Sequence, residues 1–149
     1  MENVFAIDLE IGDELIIPPY DHVHHAQALR FLEAARAAYL EHIGFPLEVF
    51  FAQNLFLVVT AIDVQYKREV GRGAYRVTCE NPRADGKKAA VDQRLLNPKG
   101  KTAVAAVVEF MCLSGATRRA VPLPADLLRA FEASRGPGTV CAGEADSLG

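Results

Sequence analysis

The chain of 149 residues has no run of about 18 apolar residues, so no helix is expected to cross a membrane. Its first residues, Met1-Glu2-Asn3, lack the basic patch and apolar stretch of a secretory signal. Cysteine is scarce. Cys79, Cys112 and Cys141 are odd in number and widely spaced, which excludes a disulfide framework or a zinc ribbon. There is no basic block, and 16 Lys+Arg against 19 Asp+Glu leave a formal net charge of −3. Binding to nucleic acid through phosphate neutralisation is therefore not expected. What remains is an ordinary globular balance, 50% hydrophobic and 23% charged. A chain of this length buries roughly two-thirds of its unfolded surface without staples. The composition predicts a soluble cytoplasmic domain with no nucleic-acid or membrane partner and no cofactor.

Along the chain, Phe5, Ile7, Leu9 and Ile11 alternate with Ala6, Asp8 and Glu10, the period of a half-buried strand. Gly12-Asp13 interrupts that strand, Leu15-Ile16-Ile17 resumes it, and Pro18-Pro19 ends it. From His24 to Ile43 neither glycine nor proline occurs, and Leu29, Leu32, Tyr39, Leu40 and Ile43 fall at helical spacing. Gly44 suits the position after the helix, and Pro46 prevents its continuation. Small side chains on several faces predict a helix closely wrapped by a sheet. Only strands are expected after it, with turns at Asn81-Pro82, Asp85-Gly86 and Asn97-Pro98-Lys99-Gly100. Thr102 to Leu113 is almost uninterruptedly apolar, as in an interior strand. A short helix, Leu127 to Phe131, follows with Asp126 as candidate N-cap.

One long helix covered by a curved antiparallel sheet of about five strands is an α+β fold. Residues 1–133 are expected to form a single domain, and the Gly, Ser, Ala and Asp of 134–149 a disordered tail. The sheet's remaining face and edges need cover, which predicts self-association as a dimer, with a tetramer also open.

The stretch Ile16-Ile17-Pro18-Pro19-Tyr20-Asp21-His22-Val23-His24-His25-Ala26-Gln27-Ala28-Leu29-Arg30-Phe31-Leu32-Glu33-Ala34-Ala35-Arg36 resembles the helix-start motif of the hotdog-fold thioesterases. The likeness is to the branch containing 4-hydroxybenzoyl-CoA thioesterase and related acyl-CoA thioesterases. His22, Val23, Ala26, Leu29, Arg30, Phe31, Glu33, Ala35 and Arg36 match its pattern. Tyr66-Lys67-Arg68-Glu69-Val70-Gly71 and Arg118-Arg119-Ala120-Val121-Pro122-Leu123-Pro124 resemble later family segments. The resemblance implies a hotdog fold and hydrolysis of an acyl or aryl thioester of coenzyme A or acyl carrier protein. The departures are specific. Pro18 stands where the family's catalytic carboxylate usually falls, Ile16 replaces its companion Asp, His24-His25 replaces an Asn pair, and Ala28 replaces a Tyr. With that carboxylate missing, a non-hydrolytic acyl-thioester-binding protein and a hotdog hydratase or dehydratase remain alternatives.

Thioester cleavage needs oxyanion stabilisation and a base. A helix N-terminus offers unpaired N–H groups and a positive dipole end, so the amides of His24, His25 and Ala26 are candidate donors. His25 or His22 is the expected base, since imidazole takes a proton near neutral pH. Asp21 either orients that base or caps the helix. Glu33, between Arg30 and Arg36 at i±3, reads as a further catalytic candidate or an intrahelical ion pair. Arg68 and Arg72 form a basic loop suited to the phosphates of the thiol carrier, or a solvated turn. Phe51 and Phe56 belong to an aromatic stretch that lines an acyl pocket or fills the core, while Tyr20 and Ala28 border the helix start. His22, His24 and His25 are close enough to suggest a metal, but no second ligand cluster accompanies them, and none is expected.

Overall fold

Helix α1 (His25–His42) is the element around which the rest is arranged. The computed structural model describes residues 4–135. At the start of α1, His24 has extended backbone (φ −61°, ψ 140°), and the Ala26 N–H donates to its Nδ1 at 3.1 Å. A histidine thus does the work more often done by Ser or Asp. Asp21 is not the cap, because the helix begins too far along the chain. At the other end Gly44 takes φ +92°, the Gly44 N–H donates to Glu41 O (3.1 Å) and the Phe45 N–H to Leu40 O (2.8 Å). These are the two bonds of a Schellman stop, and the left-handed residue explains the glycine.

Ala28, Phe31, Leu32, Ala35 and Tyr39 form the buried stripe of α1. Its opposite face, with Arg30, Glu33, Ala34, Ala37 and Glu41, is exposed. The expected all-round wrapping is therefore absent from the single chain: one stripe packs on the sheet and the other face is open.

The main sheet comprises β1 (Phe5–Ile11), β5 (Gly73–Asp85), β6 (Lys88–Leu96), β7 (Thr102–Ser114) and β4 (Leu55–Tyr66), in that spatial order. All neighbours are antiparallel, and a two-residue β8 (Ala120–Val121) pairs with β7. The register brings Val77, Leu95, Val104 and Tyr66 into one row across four strands, and Val91, Val108 and Ile62 into another. These rows face α1. As expected of its apolar run, β7 is interior, between β6 and β4.

Between those rows lies Gln93, fully buried. Its Nε2 donates to Leu32 O (2.9 Å), Thr78 O (3.2 Å) and Cys79 Sγ (3.3 Å), and Arg36 Nη1 donates to its Oε1 (3.0 Å). The amide joins helix to sheet and leaves none of its buried polar atoms unpaired.

Several local expectations are corrected. A short helix α2 (Leu47–Ala52) comes between α1 and β4, where only strands were expected; Phe50 is buried while Leu47 and Phe51 are exposed. Six residues are too few for periodicity to separate helix from strand. Asn81-Pro82 does not reverse the chain: β5 continues through it with a register shift between Glu80 and Arg83 and Asn81 at φ +52°. An irregularity of this kind inside a strand accommodates both residue types. Asp13–Leu15 is a 3-10 turn, and Ile16–Ile17 (β2) pairs with His22–Val23 (β3) instead of extending β1. Helix α3 (Ala125–Arg135) starts before Asp126, which pairs with Arg129 inside the first turn, and the Leu127 and Leu128 N–H groups donate to Pro124 O. Ser134 and Arg135 belong to α3, and the rest of the expected tail lies outside the described residues. Tyr39 of α1 stacks on Phe131 of α3, with centroids 6.4 Å apart.

Candidate active site

The small β2–β3 hairpin, which contains a cis peptide between Pro18 and Pro19, delivers residues 18–24 to the start of α1. The Val23 N–H donates to Val70 O at 2.8 Å and so fastens the hairpin to the segment after β4. The end of β4 lies under the same helix start, where the Tyr66 hydroxyl donates to His25 O at 3.0 Å. Together these elements enclose a cleft of about 520 Å³ lined by Tyr20, His22, His24, His25, Ala28, Tyr66 and Arg68 among others. Half of the residues singled out in the sequence as site candidates, Tyr20, His22, His24, His25, Ala28 and Arg68, therefore converge on one concavity.

Of the three amides expected to face it, the Ala26 N–H is taken by His24. The antiparallel pairing of Ile16 with Val23, whose own N–H goes to Val70 O, turns the His24 N–H toward β2, while the His25 N–H has no hydrogen-bond acceptor among the described residues. One donor is thus left at the positive end of an 18-residue helix.

The histidines take different parts. His22 Nδ1 lies 3.1 Å from Val23 O. A carbonyl only accepts, so Nδ1 carries the proton in that bond and Nε2 presents a lone pair. His24 is the cap. His25 is exposed, its ring stacked on His24 at 4.3 Å and edge-on to Tyr66 at 6.1 Å.

Asp21 is held elsewhere. Its φ is +63°, its side chain is 73% exposed, and Oδ1 accepts from Arg72 Nη1 at 2.8 Å. Arg72 also pairs with Asp13, and these two bonds, Asp13 first, raise its pKa. Arg72 is thereby neutralised by two carboxylates. Arg68 lines the cleft with one nitrogen donating to Thr102 O (2.6 Å). Phe51 of α2 and Phe56 at the start of β4 touch each other, centroids 5.5 Å apart, but do not line this cleft.

Glu33 lies on the open face of α1 beside a second cavity of about 160 Å³, bordered by Arg36, Ala37, Val58, Val59 and Phe131. Burial lowers the Arg36 pKa, and Glu33 and Cys79 oppose that shift. The Cys79 thiol is pushed up to about 12, chiefly by burial. Among the described residues no three His, Cys, Asp or Glu side chains converge as metal ligands, and no helix is long and apolar enough to cross a membrane.

Sequence reasoning overlooked two participants, the cap made by His24 and the Tyr66 hydroxyl. Tyr66 begins a segment that resembles the family, but nothing local shows that it reaches α1.

Residues 7–131 match the family model described as the thioesterase-like superfamily. The chain is 30% identical over 115 residues to the long-chain acyl-CoA thioesterase FadM of Escherichia coli (strain K12), covering 76% of this chain and 86% of that one. Among solved structures, a DHNA-CoA thioesterase from Staphylococcus aureus superposes with TM-score 0.78 at 17% identity, covering 95% of each chain. The 1,4-dihydroxy-2-naphthoyl-CoA thioesterase Slr0204 from Synechocystis gives 0.77 at 14% identity, covering 86% of this chain and 95% of that one. The fold shared with these structures is the expected hotdog fold.

Proposed function

Because the chain belongs to the thioesterase-like superfamily, we propose that it hydrolyses an acyl or aryl thioester of coenzyme A at the start of α1. The observation that carries this reading is the unpartnered His25 amide at the start of α1, on a residue that lines the cleft. It donates to the thioester oxygen as it gains charge, and one such donor typically contributes about 2.7–4 kcal/mol in the transition state. His22 Nε2 takes a proton from water, and the hydroxide attacks the carbonyl carbon. Collapse of the tetrahedral intermediate breaks the C–S bond. The proton on His22 then passes to the leaving thiolate, and carboxylic acid and free thiol depart. Pro18 cannot supply a base, and His22 fills that role. Asp21 acts at one remove: through Arg72 it ties the hairpin to the loop before β5. Arg68 is a cation at the cleft that can meet the carrier's phosphates.

A second copy belongs to this reading. Strand β4 has no strand partner on its outer side among the described residues, and Phe56, Val58, Val59 and Tyr66 on it are exposed. Antiparallel pairing of two β4 edges covers them. The start of β4 borders the smaller cavity and its end borders the cleft, roughly 20 Å apart on one chain. Pairing places the cleft of one copy beside the cavity of the other, so Glu33 of one protomer faces the His22–His25 group of its partner.

The test is thiol release from a panel of acyl-CoA and acyl-carrier-protein substrates. Release from at least one is expected. No release from any by folded protein overturns the reading. Binding without turnover favours an acyl-thioester-binding protein, and a change in enoyl absorbance without thiol favours a hydratase.

A further inference from the structure

The smaller cavity is a defined space whose far wall is unusual. Its α1 side is lined by Ala37 and Leu40, its floor by Val91 and Phe110, and its β4 side by Val58 and Val59. Its lining includes Val58 and Val59 of the exposed β4 edge and, from helix α3, the almost fully buried Phe131. That wall is braced: Phe131 stacks on Tyr39, the Tyr39 hydroxyl and Ser134 Oγ are 2.5 Å apart, and Ser134 Oγ donates to Phe131 O at 3.0 Å. The volume is about 160 Å³. A dry protein cavity of about 150 Å³ accommodates one benzene molecule.

We propose that this cavity receives the acyl or aryl group of the thioester and that Phe131 sets its length, restricting it to about six to eight carbons. The inference rests on the thioesterase reading and narrows its substrate class to aryl and short or medium acyl groups. The mouth lies at the β4 edge, where pairing brings the partner's cleft. The thioester carbonyl meets the amide of one copy while its apolar group enters the other. Each methylene that enters gains about 0.8 kcal/mol, or roughly fourfold in affinity, until the chain meets Phe131. Beyond that point further methylenes gain nothing or must displace α3.

Binding separates this inference from the catalytic one. S-alkyl-CoA thioethers carry no scissile thioester, and their dissociation constants can be measured by calorimetry over chains of about two to sixteen carbons. Affinity is expected to rise about fourfold per methylene and to stop rising near six to eight carbons. Phe131→Ala should move that break to longer chains. Ala37→Leu, on the exposed side of a helix that accommodates leucine readily, fills the cavity from the opposite wall and should move the break to shorter ones. A purely structural role for Phe131 would weaken all lengths alike, and Ala37→Leu keeps the test decisive if Phe131→Ala fails to fold. The same break in wild type and Ala37→Leu, or no thioether binding at all, overturns the proposal. A length break in a protein that releases no thiol from any acyl-CoA leaves the cavity assignment standing and overturns the catalytic reading alone.

Discussion

His22 Nδ1 and the carbonyl oxygen of Val23 are 3.1 Å apart, a contact that only the Nδ1-protonated ring can make as a hydrogen bond. It selects the tautomer whose Nε2 carries a lone pair, on a residue that lines the cleft. His25 has an exposed ring stacked on His24. Replacing His22 by Ala is therefore expected to lower kcat by about 10²–10⁴ with a smaller change in KM. His25→Ala should cost less than about threefold, because the His25 amide is retained. Steady-state kinetics on one acyl-CoA decides between the two rings, and a large loss with His25→Ala alone would reverse the assignment.

The edge of β4 predicts the state of assembly. Val59 is 44% exposed on a strand with no outer partner among the described residues. Val59→Lys should place unmatched charge along the paired edges. Light scattering should then report a dimer for wild type and a monomer for the variant, with thiol release falling in parallel. A monomeric, fully active variant would show that each copy carries a complete site.

How much of this was legible in the sequence depends on the range of the interactions. The limits of α1 could be read within a residue or so, because the absence of Gly and Pro, the left-handed Gly44 and Pro46 act locally. The interior place of β7 followed from its apolar run. The pairing of Ile16–Ile17 with His22–Val23 was hidden, since two-residue strands have no period to detect. Asn81-Pro82 carried an ordinary turn signal that β5 absorbs as an irregularity between two neighbouring strands. At the site, the histidine cluster was visible and the division of labour within it was not. Which ring caps, which one presents a lone pair, and which partner holds Asp21 all depend on contacts that the chain makes only when folded. Arg72, 51 positions beyond Asp21, is the clearest example.

Gln93 gives a prediction about stability. It is fully buried with partners on α1 and β5. Gln93→Leu keeps the volume but leaves Arg36 and the Leu32 carbonyl without their partner, at a cost of about 1–3 kcal/mol. Urea unfolding should show a lower midpoint with an unchanged slope. An unchanged midpoint would mean that water or a rotamer change replaces the amide.

Cys79 predicts the alkaline limb. Its pKa rises on folding from 9.0 to about 12, mainly by burial. The folded state therefore holds the thiol proton more tightly than the unfolded state does. The resulting stability is fully present below pH 9.0 and is lost as pH rises toward about 12. Cys79→Ala should flatten that decline relative to wild type in denaturation midpoints measured from pH 8 to about 11. Equal slopes in the two proteins would contradict it.

The role of the helix-start amide is tested most directly at residue 25. His25 is the first residue of α1, where proline is tolerated, and His24 already has the extended backbone that a following proline demands. His25→Pro thus deletes one N–H donor while leaving the helix in place, and His25→Ala deletes the ring while keeping the donor. The measurement is kcat for the two variants on the same acyl-CoA, with folding checked by circular dichroism. The expected results are a loss of about 10²–10³ for His25→Pro and near wild-type turnover for His25→Ala. Equal activity in the two variants would contradict that role.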